Sequence, residues 1–197
     1  MKTVITIGRE YGSGGRLVAK KLSEALDIPF YDKEVIQGVV KKTGFAENFV
    51  RDAERRPTNS FIYDLYFSAQ SLSTQDQVFI AQSGVIKDLA SKGGCVIVGR
   101  CADYILREHK DLLRVFIYAP MEERIRRAVE EYGDKESNME SFVTRKDKQR
   151  ASYYNYFTSV RWGDRKSYDL CINSALGLDT AVELIRTAAL AREGQGK

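Results

Sequence analysis

The chain has 197 residues, of which 43% are hydrophobic and 29% charged, and its net charge is +4. This length is enough to bury a full core and predicts one domain, residues 1–197. No apolar stretch reaches the roughly 18 residues of a membrane helix and the first residues lack a signal-peptide pattern, so a cytoplasmic protein without a membrane partner is expected. One histidine and no Cys-x-x-Cys pair argue against a zinc site or a conventional catalytic triad.

Short β-branched or apolar runs alternate with stretches of helical periodicity along the chain. Strands are predicted at 3–7, 28–31, 95–98, 114–118 and 169–172. Helices are predicted at 17–27, 74–92, 121–132 and 179–192, the second opened by a capping box from Thr74 to Gln77. The cysteines Cys95, Cys101 and Cys171 lie in or beside predicted strands and are expected to be buried.

This alternation predicts an α/β fold, a parallel sheet of about five strands with helices on both faces. Ligands of such sheets bind beyond the carboxyl ends of the strands. Function is therefore expected just after Ile7, Tyr31, Val98 and Tyr118. Two stretches interrupt the alternation and are expected to stand on the sheet as insertions, residues 44–73 with an aromatic segment at 61–67, and residues 133–168.

A glycine-rich turn, Gly12-Ser13-Gly14-Gly15, lies between the first strand and the first helix. Glycine lets several backbone N–H groups converge at a helix N-terminus, which is an arrangement that binds phosphate. A strict Walker A motif continues with Lys and then Ser or Thr, and neither follows here. Arg16 or Arg9 could supply the positive charge, although a guanidinium is a rigid fork and not a point charge.

Three parts of the chain resemble the cytidylate-kinase-like family: ITIGREYGSGGRLVAKKLSEALDIPFYDKEVI, VIVGRCADYIL, and RKDKQRASYYNYFT with WGDRKSYDLCINS. The Gly-Gly-Arg variant of the loop is itself characteristic of that family. The resemblance implies a P-loop nucleoside monophosphate kinase fold with a helical substrate-binding insertion, about 44–73, and a mobile lid, about 133–168. It also implies ATP and Mg²⁺, and a small nucleotide acceptor, with CMP or dCMP the first expectation.

On the donor side, the resemblance implies that Gly12, Ser13, Gly14 and Gly15 cradle phosphates with Arg16, and that Arg127 contacts the donor. As an alternative, Arg124, Arg126 and Arg127 would together lie on a solvated helix face, where Arg124 pairs with nearby carboxylates.

On the acceptor side, the resemblance implies that Asp32, Lys33, Arg100 and Asp103 form the site. Asp32 would hold Mg²⁺ through water, or would simply cap the following helix. Arg100 would bind the acceptor, or would pair with Asp103.

The lid residues are expected to close over the transferring phosphate, with Lys146 and Arg150 as catalytic cations and Asp147 beside the acceptor. The aromatic residues at 153–157 and Trp162 suit packing of the lid better than stacking on a base.

Three other readings stay open at this point. The missing lysine is consistent with a nucleotide-binding regulatory module that lacks kinase activity. The 44–73 insertion matches bacterial cytidylate kinase weakly, which leaves a kinase for another small acceptor. Nucleic-acid binding is disfavoured because the arginines cluster at predicted strand ends. Exposed aromatics at 61–67 leave a homo-oligomer open.

Overall fold

The computed structural model describes residues 1–55 and 73–195, and its core is a five-stranded sheet in which every neighbouring pair is parallel. The strands are β1 Val4–Arg9, β2 Phe30–Tyr31, β3 Cys95–Val98, β4 Leu112–Tyr118 and β5 Leu170–Asn173. Their order is β2-β3-β1-β4-β5. The predicted fold class is confirmed. Because β1 is central, the loop after it lies between the ends of β3 and β4.

Helices cover both faces of the sheet. They are α1 Gly15–Leu26, α2 Lys33–Thr43, α3 Glu47–Arg55, α4 Thr74–Ala90, α5 Ala102–Ile105, α6 Met121–Glu130, α7 Met139–Thr158 and α8 Leu178–Gln195. Short 3-10 turns span Arg165–Ser167 and Ser174–Leu176. None of the helices in the described ranges is both long and apolar enough to cross a membrane.

Alternation of side chains along the strands divides the core into two layers. On β3, Cys95 and Ile97 pack with α2, α4 and the end of α7, whereas Val96 and Val98 pack with α1 and α8. Each of these four residues is at most 1% exposed. The packed sheet therefore fixes the position of the residue that follows each strand.

Several boundaries and burial states differ from the sequence prediction. Helix α1 begins at Gly15, two residues early, because the turn ends with the left-handed Gly14. Ser73, one residue before the predicted cap, accepts the hydrogen bond from Asp76 N at 3.2 Å, so the predicted Thr74 box is displaced by one residue. Cys171 is exposed because β5 is an edge strand that packs Leu170 and Ile172 on the core and points the residue between them away from it.

The two predicted insertions differ in how much of them is described. The first contains α3, while its aromatic segment 61–67 lies outside the described residues. The second contains α7, a helix of 20 residues in which Phe142, Val143, Tyr153 and Tyr154 are buried.

Candidate active site

Two cavities meet at the carboxyl end of the sheet. The strand-end cavity, about 290 Å³, lies over the ends of β1, β2 and β3 and is lined by Asp32 and Arg100 among others. The loop cavity, about 410 Å³, lies over the glycine turn and the start of α1. Arg9, Tyr11 and Arg150 line both cavities. These three residues form the junction between the cavities, which is where a group passing from one ligand to another would be held.

The glycine turn has a backbone that only glycine adopts without strain at two positions. Gly12 has φ 76° and Gly14 has φ 75°. A Cβ at Gly12 would lie 2.3 Å from the backbone oxygen of Arg124, and one at Gly14 would lie 2.7 Å from Leu178 Cδ2. Conformation therefore requires glycine at both positions, and the close Arg124 backbone requires it a second time at Gly12.

Three consecutive carbonyl groups of this turn are hydrogen-bonded from outside it. Arg124 Nε donates to Tyr11 O at 2.7 Å, Arg127 Nη1 to Gly12 O at 2.7 Å, and Ser174 Oγ to Ser13 O at 2.6 Å. A carbonyl and the N–H that follows it point in opposite directions across a trans peptide. The N–H groups of residues 12 to 14 are consequently directed away from these donors, and that of Ser13 donates to Glu10 O at 3.4 Å.

Arg127, predicted to contact the donor, is buried behind the turn and holds its backbone. Only 4% of the residue is exposed, and its Nε lies 3.3 Å from Glu131 Oε1. Arg124, for which a solvated helix face was one alternative, is also buried, and it pairs with Glu10 at 3.3 Å and with Asp147. Both arginines therefore fix the loop from α6.

Arg16 and Arg100 meet at Asp32, at the edge of the strand-end cavity. Arg16 Nε donates to Asp32 Oδ2 at 2.7 Å, and Arg100 Nη1 lies 3.9 Å from Asp32 Oδ1. Burial acts to raise the pKa of Asp32, but the Arg16 hydrogen bond and the charges of Arg100 and Arg9 bring it below its ordinary value. Asp32 occupies the N-cap position of α2 without a side-chain capping bond. Its carboxylate is thus an ionised cavity group.

The backbone after β3 is strained at Arg100, a residue that lines the strand-end cavity. Gly99, Arg100 and Cys101 have φ of 70°, 55° and 55°, and the last two are not glycine. Such residues cost on the order of 1 kcal/mol each and persist where the surroundings hold them. The buried Gln82 does so by donating from Nε2 to Arg100 O at 3.0 Å.

The two other acceptor-side candidates are placed differently. Asp103 lines the strand-end cavity, is 7% exposed, and accepts a 2.7 Å hydrogen bond from Tyr154 OH. Burial raises the pKa of Asp103, and the bond from Tyr154 opposes that rise. Lys33 is exposed at the start of α2 and is not among the residues that line the two cavities.

Helix α7 brings its predicted cations to the junction. Lys146 lines the strand-end cavity, with Nζ 4.9 Å from the centroid of the Phe142 ring. Arg150 Nη1 donates to Arg9 O at 3.1 Å. Asp147 instead faces the loop, where it accepts from Tyr11 N at 2.7 Å and from Arg124. Its carboxylate is hydrogen-bonded to protein groups, and these bonds connect α7 to the loop.

The strand-end cavity is strongly cationic. Its lining includes five cationic and two acidic side chains: Arg9, Arg51, Arg100, Lys146, Arg150, Asp32 and Asp103. A concave, low-dielectric site of one sign concentrates ligands of the opposite sign. This cavity is therefore suited to an anion.

The described ranges, 1–55 and 73–195, hold no cluster of three or more His, Cys, Asp or Glu side chains that could bind a metal directly. Asp32 is the ionised carboxylate at the cavities that fits a water-mediated contact to Mg²⁺, the hard cation that accompanies nucleoside triphosphates and usually keeps several waters. The glycine cradle with the adjoining cavity fits the phosphates of the nucleotide itself.

The aromatic residues of α7 mainly pack, as predicted. Phe157 stacks on Phe79 with 4.2 Å between ring centroids, and Trp162 meets the edge of Phe116 at 5.4 Å. Tyr153 and Trp162 nevertheless also line the strand-end cavity.

Sequence reasoning assigned no role to the side chains of Tyr11, Arg51 and Ser174. Tyr11 lies beside a glycine and Arg51 beside charged residues, and neither position matches a known motif spacing. A single serine after a strand likewise gives no sequence pattern that indicates a function.

Comparison with known proteins identifies the family. The model of the cytidylate kinase-like family matches residues 4–176. The chain belongs to this family. No curated protein sequence matches it significantly.

Solved structures agree in fold. An uncharacterized protein from Eubacterium ventriosum is 30% identical, with a TM-score of 0.71 over 95% of this chain and 98% of that one. A gluconokinase from Sinorhizobium meliloti is 16% identical, with a TM-score of 0.57 over 99% and 95%. A shikimate kinase from Acinetobacter baumannii is also 16% identical, with a TM-score of 0.54 over 97% and 94%. The fold is that of P-loop kinases.

Proposed function

We propose that this member of the cytidylate kinase-like family transfers the γ-phosphoryl group of ATP to the phosphate of a nucleoside monophosphate, with CMP or dCMP as the first acceptors to test. The observation that carries the proposal is the cationic strand-end cavity that shares Arg9, Tyr11 and Arg150 with the loop cavity. Two anionic ligands held in adjoining cavities would meet at cations, which is what phosphoryl transfer needs.

The donor side would bind ATP through the backbone of the glycine turn. The outward carbonyl bonds orient the amides of Gly12 to Gly14, and the amide of Ser13 would exchange its 3.4 Å bond to Glu10 O for a phosphate oxygen. Mg²⁺, when bound, neutralises phosphate charge, and Asp32 would hold one of its waters. Arg16 would keep Asp32 ionised and oriented through their 2.7 Å hydrogen bond.

The acceptor side would hold a phosphate on Arg100 and a base against aromatic rings. Arg100 is 11% exposed in its side chain and suits a bidentate phosphate contact. Tyr153 and Trp162 give the same cavity apolar surface for a base. Lys146 and Arg150 would close over the transferring group from α7, the helix of the proposed lid. Catalysis would then rest on positioning and electrostatics.

The test is ADP formation by the purified protein with ATP and Mg²⁺ across the common ribo- and deoxyribonucleoside monophosphates. Arg150→Met should lower kcat by 10-fold or more, because it removes a cation at the junction. Arg126→Met is the matched control, since Arg126 is exposed and pairs with Glu123 and Glu130 away from the cavities. Absence of ADP formation with every monophosphate refutes the proposed acceptor class.

A second candidate is a kinase for a small acidic acceptor with a hydroxyl group. The ionised Asp32 in the strand-end cavity favours it, because a carboxylate can accept the hydrogen bond of an attacking hydroxyl. ADP formation with hydroxy acids but not with monophosphates would establish it. A regulatory module would instead be stabilised by ATP and turn over neither class.

A further inference from the structure

When Gly14 is taken as the second glycine of the Gly-x-x-x-x-Gly-Lys spacing, Gly15 stands at the lysine position and Arg9 at the first glycine position. The space beside Gly15 is filled by Arg9. A Cβ at Gly15 would lie 2.5 Å from Arg9 Cβ and 3.0 Å from Arg9 Cγ. The first distance is shorter than side chains tolerate and the second is tight, so residues 9 and 15 cannot both carry ordinary side chains with this backbone. The glycine at 15 is therefore coupled to the arginine at 9, and the two positions have exchanged their side chains relative to a Walker loop.

The Arg9 side chain runs from the end of β1 toward the end of β3. A Cβ at Gly99, the residue after β3, would lie 1.9 Å from Arg9 Nη1. The charge of Arg9 also acts on Asp32, where it helps to lower the pKa. The guanidinium consequently lies over the sheet edge at the junction of the two cavities, both of which Arg9 lines.

Arg16, the residue first expected to replace the lysine, lies elsewhere. Half of its side chain is exposed, its Nε is hydrogen-bonded to Asp32, and it lines the loop cavity alone of the two. Of Arg9 and Arg16, which flank the turn in sequence, Arg9 is the one that lies between the proposed donor and acceptor cavities.

We propose that Arg9 is a catalytic residue that takes the part of the absent P-loop lysine and contacts the phosphoryl group in transfer. The proposal rests on the proposed function. An oxygen of the acceptor forms a bond to the γ-phosphorus while the bond from that phosphorus to the β–γ bridging oxygen breaks, and the electron pair leaves with ADP. Arg9 keeps its protons throughout and stabilises the charge on the phosphoryl oxygens.

The experiment moves the charge between the two positions. Arg9→Gly removes the cation, Gly15→Lys adds a lysine against Arg9, and Arg9→Gly with Gly15→Lys restores the Walker arrangement. Arg9→Gly with Gly15→Met is the matched control, because methionine fills the same space without charge. In both double variants the Cβ of residue 15 would lie 3.3 Å from Ile117 Cβ, so this tight contact affects the two variants equally. Affinity for a non-hydrolysable ATP analogue with Mg²⁺ and for ADP is measured by calorimetry, and thermal unfolding checks the fold.

Loss of Arg9 should weaken binding of the ATP analogue about 10- to 100-fold, as expected for one charge-assisted contact. The affinity for ADP should fall less, because the contact is to the transferred group. Gly15→Lys alone should lower the unfolding midpoint and weaken binding. The lysine double variant should return to within about 10-fold of wild type, while the methionine double variant stays weak.

Equal binding by the two double variants would overturn the proposal, since Arg9 would then only fill space. Wild-type affinity in Arg9→Gly would overturn it as well. The binding measurement uses no acceptor, so a failure of every monophosphate to yield ADP leaves the Arg9 result standing. Conversely, kinase activity that survives in Arg9→Gly refutes the role of Arg9 and leaves the proposed function intact.

Discussion

Gly12→Ala tests whether the anion cradle depends on a close backbone approach or only on the left-handed conformation. Gly44 offers the matched position, because it has φ 71° and an added Cβ would meet nothing within 4 Å. At Gly12 the φ is 76°, but the added Cβ would lie 2.3 Å from Arg124 O and 2.9 Å from Arg124 Cα. The two substitutions share the conformational cost and differ in the collision.

The expected magnitudes follow from that difference. A non-glycine residue in the left-handed region costs about 1 kcal/mol, which is the whole loss expected for Gly44→Ala. The Gly12 variant adds an overpacking cost of about 1–3 kcal/mol, since a backbone group, and not a flexible side-chain tip, must move. At about 2–4 °C per kcal/mol, the unfolding midpoint should fall about 3 °C for Gly44→Ala and about 5–15 °C for Gly12→Ala.

The assay is thermal unfolding followed by circular dichroism, with calorimetric titration of an ATP analogue. Gly12→Ala should lose affinity because the loop moves away from Arg124 and Arg127, whereas Gly44→Ala should bind as wild type. Equal midpoints for the two variants would refute the steric reasoning. Wild-type affinity in Gly12→Ala would refute the assignment of the turn as the phosphate site.

Two further predictions concern carboxylates of the site. Asp147→Asn removes one of the two carboxylates that pair with the buried Arg124 and should cost about 2–4 kcal/mol in urea unfolding. Glu123→Gln, in an exposed pair, should leave the unfolding midpoint unchanged, and equal effects would contradict the buried-pair interpretation. The folded pKa of Asp32 lies below its ordinary 3.8, so its stabilisation is present above about pH 4 and is lost as pH falls through the lowered value. The stability advantage of wild type over Asp32→Asn should therefore be constant from pH 5 to 7 and shrink toward pH 3, and an advantage that is flat down to pH 3 would contradict the ionised state.

The sheet was largely predictable from the sequence because its strands are buried on both faces. Cys95–Val98 has the predicted bounds, since a continuous apolar run between glycines admits few alternatives. Helix α7 was not predicted as a helix because its two ends serve different surroundings: Phe142 packs on Tyr11, and Phe157 packs on Phe79. A helix that changes partners along its length shows no single apolar stripe.

The positions of the site residues followed from topology, but their partners did not. Parallel strands predict that residues after β2 and β3 meet, and Asp32 does lie beside Arg100. Whether an arginine reaches a cavity or supports a loop depends on the side-chain direction that packing selects. Packing directs Arg127 behind the glycine turn, where it binds Gly12 O, and leaves Lys33 exposed to solvent.

The glycine turn is completed by a residue far away in the chain. Ser174 lies 161 positions after Ser13, the residue whose carbonyl it binds, and it follows the last strand. Synthesis proceeds from the N-terminus, so the turn leaves the ribosome before Ser174 does. A nascent chain that ends before Ser174 carries all the glycines of the turn but lacks the bond that orients the third carbonyl. The backbone of the turn can therefore complete its hydrogen bonds only after β5 has been synthesised.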